Sequence, residues 1–211
     1  MKAMLYAEWI LLKQTIRTIG AMLLFFTVVT VLAGQASFAA MMLLMFSVMF
    51  PSTLFTSEQA YGWHHLRLSM PVLRRDIVLS RFLVSLLTNG GMFLLSCVLL
   101  SICYKISHEP VNLQDEVSGL LLCETMALVI AGTLITAAFK WGIAKARYIM
   151  MAGIWGPIAL LLILRKTGAM GSWISLPEPS IEIIIALVFV GFLIYVGCYL
   201  ISTCLYQKIE F

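Results

Sequence analysis

Few side chains in this sequence are placed to do chemistry. The candidates are the adjacent pair His64-His65, the lone carboxylate Glu124 in an otherwise uncharged apolar run, and five cysteines at positions 97, 103, 123, 198 and 204. Neighbouring residues on a helix point about 100° apart, so the two histidines do not converge on one metal ion. No H-E-x-x-H spacing supplies an alternative metal site. The cysteines all lie in apolar stretches, are odd in number and form no C-x-x-C, so they read as small buried hydrophobes. No G-x-x-x-x-G-K-[ST] loop is present to cradle nucleotide phosphates, and no G-x-S-x-G nucleophile turn occurs. A membrane enzyme needs polar groups that face each other inside the bilayer, and Glu124 is the only acid within the apolar runs. The expectation is a chain with no catalytic residue, no metal site and no cofactor of its own.

Composition explains why chemistry is scarce. Hydrophobic residues make up 62% of the chain, charged residues only 11%, and the mean hydropathy is +1.01. Soluble domains run near 45–50% apolar and about 25% charged. A chain of 211 residues has no interior large enough for that excess. Long uncharged apolar runs therefore read as membrane spans, with one domain and no soluble appendage. No basic run is interleaved with aromatics, which excludes a nucleic-acid surface.

The elements follow from where charges interrupt the apolar runs. Over residues 2–17, Leu5, Trp9, Leu12 and Ile16 share one helical face, with Lys2, Lys13 and Arg17 in the neighbouring stripe. That pattern predicts an amphipathic helix lying in the membrane interface. From Thr18 to Ser57 no residue is charged. One helix of that length would reach about 60 Å, twice the hydrocarbon thickness, so the chain must turn. Gly34-Gln35-Ala36-Ser37 is the only polar break, and the stretch before it reads as a retained span rather than a cleaved signal. Spans are expected at about 18–34, 37–56, 82–104, 117–139, 148–164 and 183–205. Gly90-Gly91 in the third, and Gly153 with Gly156-Pro157 in the fifth, are expected to allow close packing or a kink.

Charge asymmetry orients this layout. With both termini on one side, that side holds Lys2, Lys13, Arg17, Arg67, Arg74, Arg75, Arg81, Lys140, Lys145, Arg147 and Lys208, and the other only Lys105, Arg165 and Lys166. Basic loops stay cytoplasmic, so both termini are expected inside. The expected fold class is all-α: an interfacial helix plus six transmembrane helices in a multi-pass protein of the bacterial cytoplasmic membrane. The longest polar connection, about 57–81, then faces the cytoplasm. Trp141, Trp155 and Trp173 fit interfacial anchors.

That connection carries a resemblance. Glu58-Gln59-Ala60-Tyr61-Gly62-Trp63, leading into Leu68-Ser69-Met70-Pro71-Val72-Leu73-Arg74-Arg75-Asp76-Ile77-Val78-Leu79-Ser80-Arg81, resembles the type-2 ATP-binding-cassette (ABC) transporter permeases. Met70 and Leu73 depart from the commonest choices there. The loop Phe139-Lys140-Trp141-Gly142-Ile143-Ala144-Lys145-Ala146-Arg147-Tyr148 and the ending Tyr206-Gln207-Lys208-Ile209-Glu210-Phe211 are similar to one subgroup, which includes the permeases of phenol-soluble-modulin exporters.

The resemblance implies a division of labour. Two permeases, alike or different, pair in the membrane above two cytosolic ATPase subunits, which bind the ATP and magnesium. A short helix at about Ser57 to Leu68 would seat on the ATPase. Tyr61, Gly62, Trp63 and Leu66 are expected at the contact, with Glu58 and Arg67 at its rim and Pro71, Arg74 and Arg75 leading back to the membrane. The plainer reading is a positive-inside loop whose aromatics rest at the interface. Glu124 lies about 10 Å along its helix from the outer end. It either lines the outer half of the transport path and favours cationic or amphipathic cargo, or reaches to water or Lys105. The function implied is export of an amphipathic or hydrophobic substrate. The alternatives are a membrane immunity or sensor protein that binds a peptide without transporting it and, behind that, a small integral-membrane enzyme.

Overall fold

The computed structural model describes residues 23–31, 36–60, 74–107, 113–166 and 181–208, with separate positions between 9 and 21 and at Gly34. These residues are helical apart from single-residue turns. The named helices are α1 (Ala36–Ser47), α2 (Met49–Ala60), α3 (Arg74–Ser107), α4 (Leu113–Trp141), α5 (Ile143–Lys166) and α6 (Ile181–Lys208). Residues 23–31 are also helical. Among the described residues, four segments are long and apolar enough to cross a membrane: Ala36–Ala60, Arg75–Lys105, Glu116–Trp141 and Glu182–Tyr206. The expected spans at 18–34 and 148–164 include residues outside the described side chains.

Helices α1 and α2 form one broken span. Pro51 has no N–H, and its ring crowds the carbonyl four residues back, which belongs to Ser47. The ladder fails there: Val48 is a turn residue, its N–H 3.4 Å from the Met45 carbonyl. The next connection is tighter than expected. In place of a basic loop from Lys140 to Arg147, Gly142 alone separates α4 from α5. Its φ of 81° is one that a residue with a Cβ adopts only at a cost. The chain is satisfied through the turn, with Gly142 N–H on the Ala138 carbonyl at 3.0 Å and Ala146 N–H on the Gly142 carbonyl at 3.1 Å.

Helix α4 is central and packs against every other named helix. In hydrocarbon no hydrophobic drive holds helices together, so close backbone approach and interhelical hydrogen bonds must. The α4–α6 contact shows both. A Cβ on Gly191 would collide with the Thr125 methyl, and one on Gly132 would meet the Tyr195 ring at 3.0 Å. Ser202 donates to the Thr136 hydroxyl at 3.0 Å. The expected special glycines behave differently. A Cβ on Gly90, Gly91, Gly153 or Gly156 meets nothing within 4 Å, and α3 and α5 run through them unbroken.

Candidate functional site

The described helices on either side of the expected coupling stretch end at Ala60 and begin at Arg74. Tyr61, Gly62, Trp63, Leu66, Arg67 and Pro71 lie outside the described residues, as do His64 and His65. The ends of the stretch are described, and their geometry is specific. Glu58, near the end of α2, is 7% exposed; Arg81, two turns into α3, is 2% exposed. Arg81 Nη2 donates to Glu58 Oε2 in a buried ion pair. Glu58 therefore does not stand at an exposed rim. Helix α3 starts well before the expected span because Arg81 is neutralised inside the bundle rather than placed at its surface.

An aromatic collar encloses the pair. The Arg81 guanidinium lies 4.7 Å over the Phe55 ring. Phe55 meets Phe139 edge-on at 5.4 Å, and Phe139 meets Tyr206 at 5.1 Å. Next to Arg81, Phe82 packs against Tyr195 and Tyr199, and the Tyr195 hydroxyl donates to the Phe82 carbonyl at 2.7 Å. Helix α5 joins through Arg147, whose Nη2 donates to the Thr56 hydroxyl at 2.6 Å. Helices α2 to α6 thus meet where the 61–73 connection begins and ends. Arg75 is exposed beside the Tyr199 hydroxyl. Arg74 opens α3, and Lys140, Lys145 and Arg147 are exposed, so this end of the bundle is basic.

Glu124 sits in α4, about 22 Å along the helix from the collar's Phe139. Its Oε2 is buried with no hydrogen-bond partner among the described residues, and it makes no ion pair with Lys105. It does not line the large apolar cavity, which lies between the N-terminal stretch, the broken span and α3. At the same end of α4, Ser37 donates to Glu116 at 2.6 Å.

Two features went unread in the sequence. One is Arg81 as a buried partner; the other is a polar group inside the bundle. Asn89, Ser47 and Ser85 are each at most 1% exposed. The Asn89 amide donates to the Ser85 carbonyl at 2.8 Å, and its oxygen accepts from Ser47 at the break between α1 and α2. The signal was available: an Asn within an apolar run is costly unless partnered. All five cysteines are free. No group of three metal-binding side chains occurs among the described residues.

A bundle of apolar helices, basic at one end and with an ion pair buried there, defines a multi-pass membrane protein rather than a soluble domain. The chain belongs to the family described as ABC-2 family transporter protein, which it matches over residues 3–209. No curated protein and no solved structure matches it. It is accordingly a membrane permease component of an ABC transporter, a class in which an ABC ATPase is the general partner.

Proposed function

We propose that this permease works as an exporter. In this reading six spans cross the bacterial cytoplasmic membrane with both termini inside. Two permeases, identical or not, pair above two cytosolic ATPase subunits, which hold ATP and magnesium; this chain binds neither. Closure of the ATPases drives alternating access and moves an amphipathic or hydrophobic peptide, bacteriocin or drug-like molecule outward. Likeness to the phenol-soluble-modulin exporter permeases rests on the segments at 139–148 and 206–211.

The observation that carries this reading is the buried Glu58–Arg81 pair at the two roots of the 61–73 connection. A force applied to that connection reaches α2 and α3 together, and the aromatic collar passes it to α4 and α6. Tyr61, Gly62, Trp63, Leu66 and Arg67 supply the ATPase contact, with Pro71, Arg74 and Arg75 as the return path. Glu58 acts one step behind the contact. Glu124 is the candidate for cargo selection.

The test is affinity capture of the tagged protein from its native membrane in mild detergent, with mass spectrometry of what accompanies it. A stoichiometric P-loop protein, lost when Tyr61, Gly62 and Trp63 are all replaced by alanine, supports the reading. Capture of the folded protein with no ATPase overturns it and favours the immunity or sensor alternative.

A further inference from the structure

A cavity of about 800 Å³ runs between the N-terminal stretch, the broken span and α3. Along α3 it extends from Val84 to Cys103, a rise of about 28 Å, close to the thickness of the hydrocarbon core. That volume is open to the centres of water molecules, so spread over the same length the groove is about 9 Å from wall to wall. A helix with its side chains is about 10–12 Å across, somewhat wider than this groove. Extended hydrocarbon chains, one or two side by side, fit between its walls.

The chemistry of the lining agrees. Two hydroxyls reach the groove, and both are spent within their own helices: Thr27 on the Leu23 carbonyl at 2.7 Å, and Thr88 on the Ser85 carbonyl at 2.9 Å. The remaining surface is apolar, with Leu24, Leu87 and Leu95 each more than half exposed toward it or its mouth. A polar occupant would find no partner and would forfeit its hydration. At the N-terminal end, Trp9 and Ile16 line the groove, and Lys13 shares their helical spacing with Arg17 one turn on. Both basic residues are exposed. In sequence this stretch carries Lys2, Lys13 and Arg17 against Glu8 alone.

We propose that the groove between residues 9–31 and α3 is a lipid site, holding an acyl chain of an anionic phospholipid whose headgroup lies at Lys13 and Arg17. The lipid completes the apolar wall that the narrow gap leaves open and ties the N-terminal stretch to α3. The site is independent of cargo and of the direction of transport.

The full-length protein, with Trp9 as its only tryptophan (W63F, W141F, W155F, W173F), is reconstituted in phosphatidylcholine nanodiscs. Quenching of Trp9 is followed as dibrominated phosphatidylglycerol replaces host lipid, with dibrominated phosphatidylcholine as control. The anionic lipid should reach half-quenching at a mole fraction about fivefold lower for each basic residue engaged. Lys13→Gln with Arg17→Gln should abolish the difference. So should Gly91→Phe, which fills the groove from a position with nothing within 4 Å. Equal half-quenching by the two lipids, or a preference that survives both variants, overturns the proposal. So does a Trp9 shielded from both lipids while Gly91→Cys cross-links to a second copy, since the occupant is then another chain. Native mass spectrometry of the unmodified protein decides the same question without the tryptophan changes. Phosphatidylglycerol retained by the wild type and lost with Lys13→Gln and Arg17→Gln supports the site; none retained by the wild type overturns it.

Discussion

Glu58 and Glu124 are both carboxylates in predominantly apolar helices, yet the fold treats them oppositely. Glu58 is buried against Arg81 under an aromatic collar, where several helices meet. Glu124 keeps a buried oxygen with no partner among the described residues. A charge taken out of water is tolerated when its partner goes with it, and is otherwise a standing cost. The first carboxylate therefore belongs to the framework, and the second is not held by any described part of it. Under the proposed function, that difference would separate a part that transmits force from a part that meets cargo.

The largest effect should come from breaking the pair. Glu58→Gln or Arg81→Gln strands a buried charge or its hydrogen-bonding partner and should cost roughly 3–5 kcal/mol in stability. Thermal unfolding in detergent measures this, and the exchange Glu58→Arg with Arg81→Glu should recover a large part of the loss. Equal damage from the exchange and from either single change would show that the collar, not the pairing, holds the site. A smaller effect is expected inside the bundle. Asn89→Leu removes the bonds to Ser47 and Ser85, and interhelical hydrogen bonds in membranes average about 0.6 kcal/mol and reach about 1.7. Denaturant titration of the variant resolves that range from the effect at Glu58. The smallest effect belongs to Glu124→Gln, which keeps volume and removes charge. Its unfolding midpoint should equal or exceed the wild-type value, because an unpartnered charge is removed, while uptake of cationic cargo into inverted vesicles falls. A midpoint that drops as far as with Glu58→Gln would reveal a partner and erase the contrast.

Much of the architecture was legible because hydropathy is a bulk property of long segments. The described apolar runs are helical, and five of the Lys and Arg residues assigned to one side, Arg75, Arg81, Lys140, Lys145 and Arg147, lie at one end of the bundle. Details set by single residues were less visible. Gly142 carries a helix-to-helix turn that a run of basic residues made look like a loop, although a glycine between two helical patterns is a known stop signal. Pro51 divides the second apolar run, which hydropathy alone treats as continuous. The role of Arg81 was hidden for a different reason. Its partner is 23 residues away, and no local pattern tells whether a basic residue at a span boundary faces headgroups or turns inward. Of the coupling residues, Glu58, Arg74 and Arg75 could be placed, and Glu58 proved buried where an exposed rim was expected.

The most direct test of the central claim is ATP hydrolysis by the captured permease–ATPase complex in nanodiscs, comparing wild type, Glu58→Gln, Arg81→Gln and the exchanged pair. Each is measured below its own unfolding temperature and with equal ATPase bound. If the ion pair carries motion between the 61–73 connection and the bundle, both single variants lose the turnover rate of the wild-type complex and the exchanged pair regains it. Wild-type turnover in both single variants would contradict the account, and Glu58–Arg81 would then be a structural clamp with no part in coupling.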